Sequence, residues 1–282
     1  MPSSQRRCGA LADSLTRLDR SQSWLRLRAG LPDDPDRTWW RCSTMLAQPA
    51  HFDKWGAELA GWLQTSYAEA PERVVAGYLL TWYLSVPGLL AGLLFHRERR
   101  VPELRPEALA LRLGEPRPHP DAVALLDERF ACLPGDPDAA SPAATVVADE
   151  SALAALLRAR FAGHAARFVA AFGPGARFGR RTLWAAATDA LDEGLWLAGR
   201  YCGTEANGVA DAALVLPDLA AAELTPFTSP STLVAASEGW TRRRESCCFH
   251  YALRNGQGEC ETCPRVRDKA VIPAPAKRRE QG

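Results

Sequence analysis

Cys247 and Cys248 are adjacent, eleven residues follow, and Cys260 and Cys263 then stand in a C-x₂-C spacing with Pro264 behind them. Four of the eight cysteines fall within these 17 positions, whereas Cys8, Cys42, Cys132 and Cys202 are scattered singly. That distribution points to a local metal site in a reducing compartment rather than to a disulfide framework. Soft thiolates select iron–sulfur clusters or zinc over hard cations. A [2Fe–2S] cluster takes four thiolates, two for each of its sulfide-bridged tetrahedral irons. A structural zinc site normally draws on two C-x₂₋₄-C knuckles, each aiming both sulfurs at one ion. Here the first pair is adjacent, and adjacent side chains on extended backbone diverge. Two separated irons ease that demand, so the residues favour iron–sulfur. Zinc is the rival reading, and no metal at all is the third.

The neighbours of the cysteines add detail. His250 could replace a thiolate but, with four cysteines present, is expected beside the metal. The backbone amides of Phe249–His250 and Glu261–Thr262, and the Thr262 hydroxyl, are the expected hydrogen-bond donors to sulfur. Arg242, Arg243 and Arg244 read either as a cationic patch that tunes the site or docks an anionic partner, or as a solvated basic turn. Elsewhere, His164 falls on an apolar helical face and reads as a hydrogen-bonded core residue. His51, His96 and His119 have no partner spacing. Trp39-Trp40-Arg41 could line a pocket for a bulky ligand, although core packing is the default for most of the nine tryptophans. Arg180-Arg181 reads as a contact for an anion or as surface charge at a helix start. The four scattered cysteines read as small buried hydrophobes or inert thiols. There is no phosphate loop or nucleotide fingerprint, so electrons would come from a carrier.

The elements that must position these residues read mainly as helix. Phe52, Trp55, Leu59 and Trp62 recur at helical spacing. Leu153, Leu156, Leu157, Phe161, Phe168 and Phe172 share one face of a helix over 151–172, which Gly173-Pro174 is expected to stop. Another helix is expected over 181–200, with Leu183, Trp184, Leu191, Leu195 and Ala198 inward. Residues 76–95 carry no charge and are long enough to span a membrane, but Pro87 interrupts them. Two short buried helices meeting near Val86–Gly88 are the preferred reading. Strands are expected at 144–148 and 213–216, loops with short elements over 113–138, and an irregular connection over 203–232. The polar tail beyond Pro264 is expected to be flexible. The fold class is therefore mainly α, or α+β with a few short strands, with a short Cys-rich C-terminal appendix. A formal net charge of +1 gives no reason to expect nucleic acid as a partner. The opening residues lack the apolar region of a secretory signal, and Asp13 and Asp19 argue against a transit peptide.

The run Arg243-Arg244-Glu245-Ser246-Cys247-Cys248-Phe249-His250-Tyr251, followed by Cys260-Glu261-Thr262-Cys263-Pro264, resembles the FhuF-like siderophore-iron reductases, whose signature is C-C-x₁₀-C-x₂-C. Looser likeness extends upstream through 76–95, Asp127-Glu128-Arg129-Phe130, Leu133-Pro134-Gly135-Asp136 and Leu183-Trp184. The spacer here is eleven residues rather than ten; Gly256 and Gly258 lie inside it. The resemblance implies a helical body over 1–235, a [2Fe–2S]-binding segment over 236–265 on Cys247, Cys248, Cys260 and Cys263, and a tail over 266–282. It also implies a cytoplasmic enzyme that reduces a ferric siderophore, most readily of hydroxamate type, with electrons from a ferredoxin or flavodoxin-like donor. Contact with the inner face of the cell membrane would be peripheral. The non-enzymatic alternative is a regulatory or interaction protein with a zinc staple or redox-sensing cluster.

Overall fold

A computed structural model describes residues 9–33, 38–218, 225–256 and 258–266. The expectations for Cys8 and for the tail over 267–282 lie outside these. Among the described residues the chain forms seven α-helices and nine short strands. The helices are α1 (Ala10–Ser21), α2 (Cys42–Ala47), α3 (Ala50–Tyr67), α4 (Glu72–Glu98), α5 (Glu150–Ala176), α6 (Arg180–Tyr201) and α7 (Glu205–Val215). Strands β1 (Arg26–Ala29), β2 (Trp39–Arg41), β4 (Leu109–Leu113) and β5 (Pro120–Leu125) make a sheet in the order β1-β5-β4-β2, with β1 and β5 parallel. Strands β3 (Arg100–Pro102), β6 (Phe130–Cys132) and β7 (Ala144–Val146) make a second sheet in the order β3-β6-β7. The pair β8 (Leu233–Ala235) and β9 (Trp240–Arg242) leads directly into the cysteine segment. The chain is mainly helical with short strands, as its periodicity predicts.

Helix α4 is the axis of the molecule; it corrects one expectation and bears out another. It runs unbroken through Pro87 instead of splitting into two helices. An interior proline costs about 3 kcal/mol. Here the flanking residues Leu84, Val86, Leu89 and Leu90 are all buried, and each such side chain returns about 1.5–3 kcal/mol. Burial on all sides therefore outweighs the lost hydrogen bond. The same helix is long and apolar enough to cross a bilayer, but 89% of its most apolar stretch is covered by the rest of the protein. Its apolarity serves a core.

Helix α6 lies against α4 at backbone contact. A Cβ on Gly88 would sit 2.4 Å from the Ala190 carbonyl oxygen, and one on Gly194 would sit 2.4 Å from that of Gly88. Only hydrogen atoms fit there, and the close approach lets α6 present Asp189, Asp192 and Glu193 toward the C-terminal segment. Two further expectations are corrected. Helix α5 continues through Gly173-Pro174 to Ala176, since Pro174 faces solvent while Phe172 is buried, Ala176 packs on the core and Leu183 packs against Gly173. The run Ala213–Leu216 is the end of α7 rather than a strand, because Gly208, Val209, Ala212 and Val215 are buried at helical spacing. The stretch 203–232 accordingly includes a helix.

Candidate metal centre

The cysteine segment has no core of its own; its order comes from the body. Asp189 on α6 accepts hydrogen bonds from the backbone N–H of Glu245 (2.9 Å) and Ser246 (2.7 Å) and from the Ser246 hydroxyl (2.5 Å). One turn on, Asp192 accepts from the Ser231 hydroxyl (2.6 Å) and from Thr232 N–H and Oγ1–H (both 2.9 Å). Arg242 is buried, donates to the Asp189 carbonyl at 2.8 Å and pairs with Glu193 at 2.7 Å. Arg244 is buried as well, with its Nε 3.7 Å from the Asp189 carboxylate. The reading of 242–244 as a solvated turn holds for Arg243 alone, because the other two guanidinium groups answer acids on α6.

Gly77 on α4 opens the floor for the Cys-Cys step. A Cβ there would meet the Cys248 carbonyl oxygen and the Phe249 ring at 2.8 Å each. Phe249 takes a left-handed backbone (φ 62°), which costs a non-glycine residue about 1–2 kcal/mol. Its ring is buried, stacks on Phe178 with centroids 5.4 Å apart and lies under the Arg73 guanidinium at 4.6 Å. Burying a phenylalanine returns about 1.5–3 kcal/mol, enough to hold the turn. On the far side of the loop Asn255 donates to the Tyr67 carbonyl at 2.9 Å, and Arg254 N–H reaches Glu69.

These anchors gather the four cysteines. Cys248 and Cys260, Cys247 and Cys263, and Cys260 and Cys263 lie close enough for each to act on the other's charge. Cys263 is buried and the other three are half-buried. The Cys248 thiol is brought below the usual thiol range, chiefly by Cys260, then by the Arg244 cation and the His250 N–H. The same pairing pushes Cys260 up, and burial raises Cys247. Phe249 N–H points at Cys247 Sγ at 3.4 Å. The amides expected at Phe249–His250 therefore serve sulfur. At Glu261–Thr262 no donor to sulfur appears among the described residues; the Thr262 carbonyl instead accepts from Arg244 N–H at 3.4 Å. His250 stands beside the cysteines with its Nδ1 2.5 Å from the Tyr78 hydroxyl.

Four thiolates are the donor set that a [2Fe–2S] cluster takes, two for each iron. A [2Fe–2S] cluster on four thiolates is a double anion when oxidised, and Arg244 supplies positive charge where it would lie. Arg244 Nε is also buried with no hydrogen-bond partner.

The other candidates lie elsewhere. His164 is buried between the Leu104 carbonyl (2.6 Å) and the Tyr83 hydroxyl (3.1 Å), a core histidine as expected. His96 is held by Asp211 and Thr204. Trp40 lines only a small cavity of 240 Å³ beside Lys54 and Arg112. Arg180 and Arg181 are exposed at the start of α6. Cys42 and Cys132 are buried and Cys202 is half-buried. Sequence reasoning missed Gly77 and Asp189. The signals were present: one glycine among bulky residues, and three acids inside an otherwise apolar helix.

Residues 244–265 match the family model described as the FhuF 2Fe-2S C-terminal domain. No curated protein matches the chain. The matched residues are those that gather the cysteines, and the match and the four sulfurs together fit a [2Fe–2S] cluster, so the chain is similar to FhuF-like iron–sulfur redox proteins.

Proposed function

We propose that the chain is a cytoplasmic ferric-siderophore reductase, with Cys247, Cys248, Cys260 and Cys263 as the ligands of its [2Fe–2S] cluster. One observation carries the reading: the four cysteines are gathered near the buried Arg244, close enough to act on one another's charge, within the residues that match the FhuF 2Fe-2S domain. The cluster, when bound, supplies a one-electron couple. The chain's own residues do the rest. Arg244 offsets anionic charge, the amides of Phe249 and His250 donate to sulfur, and Phe249 seals the inner side against the body. Three half-buried cysteines leave the outer edge within reach of a partner.

The substrate is an Fe³⁺ chelate with hard oxygen ligands, of hydroxamate type. Adding one electron gives a softer Fe²⁺ of lower charge density, and the chelate loosens. A ferredoxin or flavodoxin-like donor restores the electron. No side chain need act as acid or base.

Protein purified without oxygen tests the reading. It is expected to be coloured, to contain iron and acid-labile sulfide, and to bleach with dithionite. The reduced protein should recolour when mixed with a ferric trihydroxamate while a chromogenic chelator traps Fe²⁺. A colourless protein with one tightly bound zinc would overturn the reading, as would a reduced protein that leaves every ferric chelate untouched.

A further inference from the structure

Where α4 and α6 meet lies an open cleft of 410 Å³. Trp24, Thr81, Trp82, Arg117, His119 and Tyr201 line it. Its aromatic walls differ in exposure, Trp82 being buried and Trp24 open to solvent. Trp24 is 38% exposed, among the most exposed large apolar side chains described. The rings of Trp24 and Trp82 both pack edge-on to His119, at 4.9 and 4.8 Å. Arg117 spreads its guanidinium over Trp82 (4.9 Å) and Trp62 (5.1 Å), and no carboxylate pairs with it among the described residues. The turn that carries it is pinned, because Trp55 Nε1–H donates to the Pro118 carbonyl at 2.7 Å and Gly114 N–H to that of His119 at 2.8 Å. The acid in the cleft, Glu193, is already neutralised by Arg242.

The cleft also touches the metal side through rings. The Trp82 ring lies 5.0 Å from that of Tyr78, whose hydroxyl meets His250 two residues after Cys248. Tyr78 is close enough to Cys248 and Cys260 for their charges to act on it. A larger cavity of 690 Å³ exists between α3, α4 and the end of α5, but it is lined mostly by small apolar residues and its charged groups are Asp53 and Glu72. It offers no cation and no aromatic bridge to the sulfurs.

We propose that the cleft bounded by Trp24, Trp82 and Arg117 is the docking site for one face of an oxygen-ligated trivalent-metal chelate, with Tyr78 and Trp82 between it and Cys248. This rests on the reductase reading and names where its substrate sits. The cleft is at the small end of ligand pockets, so it takes one bidentate arm of a bulky chelate and leaves the remainder in solvent. The aromatic faces cover the arm's carbon skeleton, and Arg117 donates to the metal-bound oxygens. The single unpaired cation offsets one net charge at most, so a tricatecholate complex of charge −3 would keep an uncompensated excess beside the aromatic walls, and the uncharged trihydroxamate complex suits the cleft better. In the transfer the chelated Fe³⁺ gains one electron and the sulfur-ligated iron pair loses one. No bond of the chain is made or broken, and the ferredoxin or flavodoxin-like donor makes good the loss.

Binding can be read without electron transfer by using Ga³⁺, which has the charge and nearly the size of Fe³⁺ and is not reduced. Calorimetry with the Ga³⁺ complexes of a trihydroxamate and a tricatecholate should show the holoprotein binding the first more tightly. Arg117→Ala and Trp24→Ala change exposed side chains, so both should retain the visible spectrum and helical circular dichroism of the parent. Each is expected to weaken trihydroxamate binding about tenfold, the effect of losing one charge-assisted hydrogen bond or one aromatic face. Unchanged affinity in both variants would overturn the cleft while leaving the reductase reading intact, as would tighter binding of the tricatecholate. A parent protein that binds neither complex would remove the reductase reading and the cleft with it.

Discussion

Asp189 concentrates the restraint on the cysteine segment in one carboxylate. It takes three hydrogen bonds from residues 245 and 246 and stands beside the buried Arg244 and Arg242. Asp189→Ala would leave the buried Arg244 short of countercharge, while Arg242 keeps Glu193, and breaking such a buried arrangement costs about 3–5 kcal/mol. Asp189→Asn keeps the shape and one acceptor and should cost less. We expect the alanine variant to lose its visible absorption and to be cut near residue 245 by protease, while its helical circular dichroism persists. An intact segment in that variant would show that Gly77 and Phe249 suffice. A second residue-scale effect concerns pH. Burial lowers His164 from 6.5 to about 4, with the Leu104 carbonyl opposing the shift, and it lowers His119 to about 4 beside Arg117. Both are therefore neutral in the folded protein at pH 7 and bind protons more readily when unfolded. Between pH 6.5 and 4 the unfolded state holds more protons, so this stability is complete above 6.5 and is lost as pH falls toward 4. The His164 contribution is roughly 3 kcal/mol. His164→Gln should flatten the loss of denaturation free energy across that window without abolishing it, since His119 still titrates. The roles of the cysteines and of His164 were legible because their types and spacing are local properties. Asp189 and Gly77 leave local signals, a glycine among bulky residues and acids in an apolar helix, but not their roles, because their partners lie 56 and 171 positions away.

At the scale of elements, glycine position decides how α4 is used. Gly77 faces the Cys248 carbonyl and the Phe249 ring at 2.8 Å from where a methyl would go, whereas a methyl on Gly61 of α3 would meet nothing within 4 Å. Gly61→Ala should stabilise the protein by about 0.5–1 kcal/mol through helix propensity alone. Gly77→Ala gains the same propensity but must push backbone aside, and overpacking of that kind costs about 1–3 kcal/mol. Its net effect is a loss, felt first where the cysteines are seated. Denaturant melts of the two variants, with the visible spectrum recorded alongside, separate the cases; a stabilised, fully coloured Gly77→Ala protein would refute the floor assigned to that glycine. The same helix shows why some boundaries were misread. Pro87 and the Gly173-Pro174 pair are local stop signals, and both are overridden because the helices gain more from their neighbours than a missing hydrogen bond costs. The end of α7 reads as a strand in sequence because four apolar residues in a row carry no period, and the helical spacing shows only when Gly208 and Val209 are included.

The whole molecule is a helical body that folds around α4 and α6 and then seats a short segment that brings no hydrophobic core. Dependence between the two parts should run one way. Phe249 and Leu253 are buried large apolar side chains of the cysteine loop, whereas the body buries dozens, from Leu15 to Phe227. Cys260→Ser and Cys263→Ser should therefore remove the visible chromophore and leave the helical circular dichroism almost unchanged. The midpoint of thermal unfolding should fall by a few degrees, in line with the roughly 1–2 kcal/mol that a loosened Phe249 forfeits. The reverse order is forbidden: in the parent protein the chromophore must bleach at or below the temperature at which the helices melt, because Gly77, Asp189 and Phe178 position the loop only while α4 and α6 stand. Recording visible absorption and ellipticity in one anaerobic melt tests this directly. A chromophore that outlives the helices would mean that the segment from β9 to Val266 holds its shape alone, and the anchors on α4 and α6 would then have no part in building the site.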